Sequence, residues 1–399
     1  MRETDILITG AGIVGLSIAR ELLKRYYDIK ITIIEKETTV GLHASGRNSG
    51  VLHAGFYYSP SSLKARLTAQ GNAMMTAYCL ENHLPLNQCG KVVVAKNEGD
   101  LKGLHELKSR GDKNGVNLDL IDELELKDIE PNAKTVSHAL FSKTTSTVDP
   151  LIVLQHIAKT LTENIQVELL FNERYIHRLT DDTIQTNNQK IKFKHLINTA
   201  GLYADKIAHD FGVGYEYILV PFKGLYVEYK DSNLLRKHIY PVPNLKNPFL
   251  GVHFTKTVKG AVKIGPTAIP AYWRENYKGF DNFDFTEFIQ TFSLEARLFV
   301  SNASHFRDIA FDEMRKYFHK NLTKEASQLV KNIDPSRFGG HLKPGIRAQL
   351  LNRKNMELVM DFVIESGKNS THVLNAVSPA FTCAFSFSSL VVDALPLAD

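Results

Sequence analysis

The chain has 399 residues, enough for two or three domains with a core that needs no disulfide or metal staple. Its 43% hydrophobic and 23% charged residues are ordinary for a soluble globular protein. The net charge of +5 is mild and the Lys and Arg residues are scattered, which argues against nucleic acid as a partner and leaves a weak attraction to acidic lipid or anionic substrates open.

In chain order, "DILITG" (5–10) reads as a short buried strand, and the helix that follows in "AGIVGLSIARELLKRYY" has apolar residues at helical spacing. A second strand, "IKITIIEK", starts at Ile29 and ends on Glu35. Glycines stand at 10, 12 and 15, with small Ala19 one turn later. In a strand-turn-helix, the first glycine permits the tight turn and the second admits a pyrophosphate to the backbone. The third lets helix and strand pack closely, with the helix N-terminus facing the phosphates. Glu35, 20 residues after Gly15, is spaced to accept hydrogen bonds from a ribose diol, and its charge disfavours a 2′-phosphate. The expected ligand is NAD-like or FAD-like rather than NADP.

The next stretch, "HASGRNSGVLHAGFYYSP" (43–60), is neither a clean helix nor a clean strand. Ala44 to Ser49 are small with Arg47 the exception, so the backbone can approach a ligand, and His43, Arg47, Asn48, His53, Tyr57 and Tyr58 supply polar tips. A long helix over about 61–83, a strand "KVVVA" and two polar helices ending near "IEPNA" come next, and then Asp149 opens a helix starting at Pro150. Strand-like runs at about 165–170, 174–180 and 191–198 follow. The last enters a Thr199-Ala200-Gly201 turn with a helix behind it and Asp205 in its first turn, a second strand-turn-helix suited to close backbone approach. From 216 to 265 the pattern is that of a mostly antiparallel sheet. Helical patterns cover about 285–303 and 308–331, and the chain closes with a strand, a Ser378-Pro379 turn and an apolar helix expected to pack back on the nucleotide-binding part.

Cys79, Cys89 and Cys383 are odd in number and lack metal-ligand spacing, so free thiols in a reducing compartment are expected. The N-terminus has no signal-peptide pattern and no run of about 18 apolar residues occurs. The expected location is cytoplasmic, with peripheral contact on the inner face of a membrane left open. "FHKNLTK" (318–324) and the apolar last helix are its candidate segments.

These landmarks together resemble the FAD-dependent oxidoreductases of the D-amino acid oxidase superfamily, and within it the L-2-hydroxyglutarate dehydrogenase/oxidase family. The resemblance is carried, in order, by "ITGAGIVGLSIARELL", "HASGRNSGVLHAGFYY", "NTAGLYAD", "VPFKGLYVEY", "HIYPVPNLKNPFLGVHFT", "GPTAIPAYWRENY", "GIRAQL" and "NAVSPAFT". It implies an α/β fold, α+β overall, with a Rossmann-like FAD-binding domain (1–85, 145–215 and 335–399) interleaved with a mostly antiparallel-sheet substrate domain (86–144 and 216–334). It implies FAD as cofactor, with the 43–58 loop running along it. The cofactor-binding residues expected are Gly10, Gly12, Gly15, Glu35, Lys36, Ser45, Arg47, Asn48, Ser49, Thr199, Ala200 and Gly201. The sequence departs from the family at Lys223, where Arg is expected, and in the last helix, which has lost the usual small-residue pattern.

The reaction the resemblance implies is oxidation of L-2-hydroxyglutarate to 2-oxoglutarate, with hydride transfer to flavin N5. That chemistry needs a base for the hydroxyl proton and cations for the carboxylate. His253, in "FLGVHFT", is one candidate for the base and His53, in "VLHAG", is the other, with covalent flavin attachment at His53 a further alternative. Arg347, in "GIRAQ", falls where the superfamily places an arginine on the substrate α-carboxylate. Lys223, Tyr240 and Arg66 are candidates for the second carboxylate, while Tyr57 and Tyr58 are expected to pack. The electron acceptor, whether quinone, protein or oxygen, is not legible. Two alternatives stand beside this reading: an FAD enzyme acting on an amino acid, N-methyl amino acid or glycerol 3-phosphate, and a non-catalytic FAD-binding protein.

Overall fold

The computed structural model describes residues 1–243, 251–303, 306–316 and 319–396. It divides into two compact units, each made of separated pieces of chain. Unit 1 comprises 1–48, 150–220 and 347–399, and unit 2 comprises 49–149 and 221–346. The segment 49–85, which the sequence attaches to the nucleotide-binding part, falls in unit 2.

Unit 1 is built on a sheet whose central strand is Arg2–Thr9, beginning three residues before "DILITG". On one side lie Ile31–Ile34 and then Val167–Leu170, and on the other Lys190–Asn198 and then Ser370–Asn375, all parallel to their neighbours. Antiparallel strands Tyr175–Thr180, Thr183–Thr186 and Val363–Gly367 complete it. Ile6, Leu7 and Ile8 are fully buried, as a continuous apolar run becomes when both faces of a parallel sheet are covered. The register sets Thr9 opposite Asn198, so the Gly10 and Thr199 turns leave the same edge of the sheet although the chain separates them widely.

The helix Ile13–Arg25 packs against Pro150–Thr162 and against the last helix, Ala380–Asp393. Nine of the 14 residues of that last helix are buried, and an Arg25–Asp393 ion pair closes its far end. Its apolar character therefore belongs to the core, which removes it as a membrane-contact segment. Of "FHKNLTK", Phe318 lies outside the described residues, and the remainder starts the helix His319–Leu329, whose Leu322 is buried.

In unit 2 an eight-stranded sheet runs Phe338–His341, Val227–Tyr229, Val262–Gly265, His253–Lys256, His238–Pro241, Lys91–Val94, His138–Ser142 and Asp119–Asp122. Every neighbouring pair is antiparallel except His238–Pro241 with Lys91–Val94. Side chains alternate across this sheet. Val92, Val94, Ile239, Phe254 and Ile264 enter one core, shared with Leu322, Ala326 and Leu329, while Val93, Leu140 and Tyr240 enter a second core with Phe56, Tyr57, Leu104 and Leu107. The helical pattern expected over 308–331 is two helices, Phe306–Lys316 and His319–Leu329, and the helix before them is Phe285–Ser301. Among the described residues no helix is long and apolar enough to cross a membrane.

Candidate active site

The nucleotide-type turn of unit 1 is held by its own glycines. Gly10 has a φ of +98°, and a Cβ there would lie 2.7 Å from the Thr199 carbonyl oxygen. A Cβ at Gly15 would lie 2.2 Å from the Gly10 carbonyl oxygen, so only glycine lets this helix approach the turn. Gly12 is the N-cap of Ile13–Arg25, brings no capping side chain, and no acidic residue occupies the first turn. That terminus suits an anion, because partial positive charge accumulates there.

The surrounding side chains fix the turn. The Ala11 N–H donates to Glu35 Oε2 at 3.0 Å, and the Glu37 N–H donates to Glu35 Oε1 at 3.1 Å, so the carboxylate is oriented by backbone. The Ile13 N–H donates to Ser45 Oγ at 3.0 Å. Thr199 Oγ1 donates to the Thr9 carbonyl at 2.9 Å, and Asn198, below it, bonds the Ala204 carbonyl, the Ala200 N–H and buried His372. Lys36 pairs with Glu37 and stands 2.9 Å from His43 Nε2. Arg47 Nε donates to the Leu42 carbonyl at 2.6 Å, and Asn48 Nδ2 to the Ser45 carbonyl at 2.8 Å. Arg347, half-buried on the strand Gly345–Asn352, also belongs to unit 1.

Ser49, His53, Lys223, Tyr240 and His253 belong to unit 2. Pairing of Ile239 with Phe254 sets Tyr240 opposite His253 on the other face, and their rings stack with centroids 3.8 Å apart. His253 Nδ1 lies 2.9 Å from the Gly251 carbonyl oxygen. A carbonyl only accepts, so Nδ1 carries the proton and Nε2 is the basic nitrogen. The strand part of "FLGVHFT" begins at His253, and residues 244–250 of the family-specific segment lie outside the described residues.

His53 is buried and its pKa is held well below 6.5, by burial first and then by Lys91, His253 and His238. Its loop is clamped by amide side chains: Asn72 donates to the Leu52 and His53 carbonyls at 3.0 and 3.1 Å, and Asn114 to those of Gly55 and Tyr58 at 3.0 and 3.1 Å. Tyr57 stacks on Phe56, as expected of a packing residue. Lys223 Nζ donates to Asn276 Oδ1 at 2.9 Å, and Arg66 is exposed on the helix Leu63–Glu81.

Sequence reasoning missed two members of this face, Lys91 and His238. Lys91 is fully buried; its Nζ has no hydrogen-bond partner among the described residues and lies 4.5 Å from the Phe56 and Tyr57 rings and 4.7 Å from the Tyr240 ring. Burial pushes its pKa down to about 7. His238, next to it in register, accepts the Lys256 N–H on Nδ1 at 3.0 Å and faces Cys89 Sγ from Nε2 at 3.3 Å. Burial, then Lys91, lowers its pKa to about 3. The available signal was period-2 alternation, which puts Lys91 with Val93 and His238 with Tyr240 on one face.

Residues 5–393 match the family model described as FAD dependent oxidoreductase. The chain belongs to this family. Among its relatives, an L-2-hydroxyglutarate dehydrogenase of Nematostella vectensis is 35% identical, with 98% of this chain and 90% of the relative covered. The human L-2-hydroxyglutarate dehydrogenase is 34% identical over 98% of this chain and 88% of its own, and one from Indibacter alkaliphilus is 35% identical over 98% of both. L-α-glycerophosphate oxidase from Mycoplasma pneumoniae, solved with FAD bound, shares the fold at a TM-score of 0.78, 22% identity, and coverage of 100% of this chain and 96% of its own. Glycine oxidase from Geobacillus kaustophilus does so at 0.72 and 18%, covering 98% and 94%. The cofactor of this family member is FAD, and the glycine turn, whose close approach no Cβ would allow, with its oriented Glu35 fits that dinucleotide.

Proposed function

We propose that the chain oxidises L-2-hydroxyglutarate to 2-oxoglutarate. The reading is carried by its identity of about 35% over nearly its whole length to dehydrogenases of that substrate. The reaction removes the hydroxyl proton and, with two electrons, the hydrogen on C2. When bound, FAD supplies the two-electron acceptor.

The Gly10–Gly15 turn would hold the pyrophosphate and Glu35 the ribose diol, with Lys36, Ser45, Arg47, Asn48, Ser49 and the Thr199-Ala200-Gly201 turn as further cofactor contacts. His253 takes the hydroxyl proton on Nε2, since its Nδ1 proton is committed to the Gly251 carbonyl. Tyr240, stacked on that imidazole, keeps the ring in one plane. His53, neutral across the physiological range, stands beside it as a hydrogen-bonding group and as the alternative base. Arg347 binds the substrate α-carboxylate through its planar fork. Lys223 and Tyr240 are assigned to the second carboxylate. Arg66 is set aside, because an exposed helix-surface arginine cannot select a substrate that must be shielded from water. Electrons then leave to a quinone, a protein or oxygen, and peripheral contact with a membrane belongs to the same reading.

The test is an anaerobic titration of the flavin-loaded protein with L-2-hydroxyglutarate and, separately, its D enantiomer. Bleaching of the visible flavin band by the L form alone is expected. Bleaching by amino acids or glycerol 3-phosphate instead, or by none of them, would overturn the substrate assignment.

A further inference from the structure

The two glycine-bearing turns of unit 1, at Gly10 and at Thr199-Ala200-Gly201, are far apart in the chain, and one buried amide joins them. Asn198 is fully buried at the end of its strand and stands in register with Thr9. Its Oδ1 accepts the Ala200 N–H at 3.2 Å and the Thr9 hydroxyl at 3.3 Å. Its Nδ2 donates to the Ala204 carbonyl at 2.8 Å and to His372 Nδ1 at 3.0 Å. Both lone pairs and both N–H bonds of the amide are therefore used.

These bonds grip the second turn from both sides. Ala200 and Ala204 flank the short helical turn Gly201–Tyr203, and the Thr9 hydroxyl ties the same amide to the strand that enters the Gly10 turn. The turns also touch directly. The Thr199 N–H and hydroxyl both donate to the Thr9 carbonyl, at 3.0 and 2.9 Å, and a Cβ on Gly10 would lie 2.7 Å from the Thr199 carbonyl oxygen. A shift in one turn is passed to the other.

His372 fixes which way round the amide sits. Turned over, it would set its NH2 group against the Ala200 N–H and its oxygen against the Ala204 carbonyl. An imidazole lone pair at Nδ1 accepts only from the observed NH2 end. His372 is fully buried, and burial first, then His195, lowers its pKa to about 3, so the ring is neutral across the physiological range. With Nδ1 accepting, Nε2 carries the proton, and it is buried with no hydrogen-bond partner among the described residues. A phenyl ring would fill this space, beside the Phe211 ring 5.3 Å away, without leaving a buried N–H unpaired. The imidazole is kept despite that cost, and Nδ1 is the atom that uses it.

We propose that His372 is a positioning residue of the cofactor site. By accepting from Asn198 it fixes the amide, and the amide holds the Thr199-Ala200-Gly201 turn against the Gly10 turn in the shape that receives FAD. The inference rests on the placement of FAD against these turns and is independent of the substrate.

The flavin-loaded full chain is serially diluted and the released FAD is read by its fluorescence, which gives the dissociation constant, with denaturant unfolding at saturating FAD read alongside. His372→Phe is expected to hold FAD about tenfold more weakly, the size of one lost buried hydrogen bond. His372→Asn, whose amide oxygen can stand where Nδ1 stands, should hold it within about twofold of the wild type. His372→Gln fills the volume of the imidazole better but carries its polar group in the place of Nε2, and should behave like His372→Phe. Thr9→Val, at the Oδ1 end of the amide, should weaken FAD about threefold. Gly12→Val puts a side chain at the N-terminus of Ile13–Arg25 and should purify without flavin.

Wild-type affinity in His372→Phe and His372→Gln, with flavin lost from Gly12→Val, overturns the proposal alone. Wild-type affinity in Gly12→Val strikes the placement of FAD at the turn and takes the proposal with it. A ranking by volume, with His372→Gln above His372→Asn, makes the role of His372 structural and overturns the proposal, as does easier unfolding with an unchanged FAD dissociation constant. If the His372 variants do not fold, Thr9→Val decides, and an unchanged FAD affinity there overturns the coupling of the two turns.

Discussion

Two apolar helices, Ala380–Asp393 and Phe285–Ser301, treat their apolar residues in opposite ways. The first buries Phe385, Phe387, Val391 and Val392 against the glycine-turn helix, and its serines satisfy themselves on carbonyls within the helix, as Ser386 does on Cys383 and Ser388 on Phe385. The second buries its glutamates and exposes its phenylalanines. The same inversion recurs on the site face of unit 2, where a lysine lies among aromatic rings. Where the ordinary rule holds, the residues make the fold, and where it is inverted the buried charge weighs against stability.

An aspartate separates the two helices most sharply. Phe387→Asp, at a position 1% exposed, should cost about 4 kcal/mol or more and yield little flavin-retaining protein, as read by thermal melting and the visible spectrum. His253→Gln should lower kcat by about 10²–10⁴-fold with flavin content unchanged, measured by steady-state kinetics. A fall confined to KM would move the base to His53.

The buried charges give stability effects whose sign depends on pH. Lys91 has a folded pKa of about 7 against 10.5 unfolded, so between those values the unfolded chain binds more protons and stability rises with pH. Lys91→Met should remove that rise, so the variant is the more stable at pH 7 and its advantage narrows toward pH 10, seen by denaturant melts across that range. Glu295 runs the other way: burial raises its pKa to about 8, and the folded form holds the extra proton between 4.5 and 8. Stability from this group therefore falls as pH rises, and Glu295→Gln should be most stabilising near pH 8. The smallest effect belongs to Phe292→Asp, expected within about 0.5 kcal/mol of the wild type in solution. A large loss there would mean that this apolar face is packed and would break the comparison.

Much of unit 1 was legible because its signals are local. "DILITG", the glycines and "ITII" give strand, turn and strand without reference to distant chain, and Gly10 and Gly15 are required by a positive φ and by a contact no side chain could share. The helix at Pro150 and the Thr199-Ala200-Gly201 turn were likewise readable. Less readable was the site face. His253 and Tyr240 could be named singly, but their stack depends on strand register, and Lys91 was not singled out because only the rings packed around it make it a buried charge. The last helix packs against Ile13–Arg25, as its reading as a closing helix on the nucleotide-binding part expects, whereas its candidacy as a membrane-contact segment rested on composition, which does not say how much of a helix is covered.

The sequence by itself determined where the helices and strands run, which backbone turns must be glycine and which side chains share a face, since periodicity groups residues about an element's own axis. Tertiary structure alone decided which of those faces is turned inward. It buried the phenylalanines of Ala380–Asp393, exposed those of Phe285–Ser301, and set Lys91 beside Tyr240, because a face acquires its sign only from the partner packed against it.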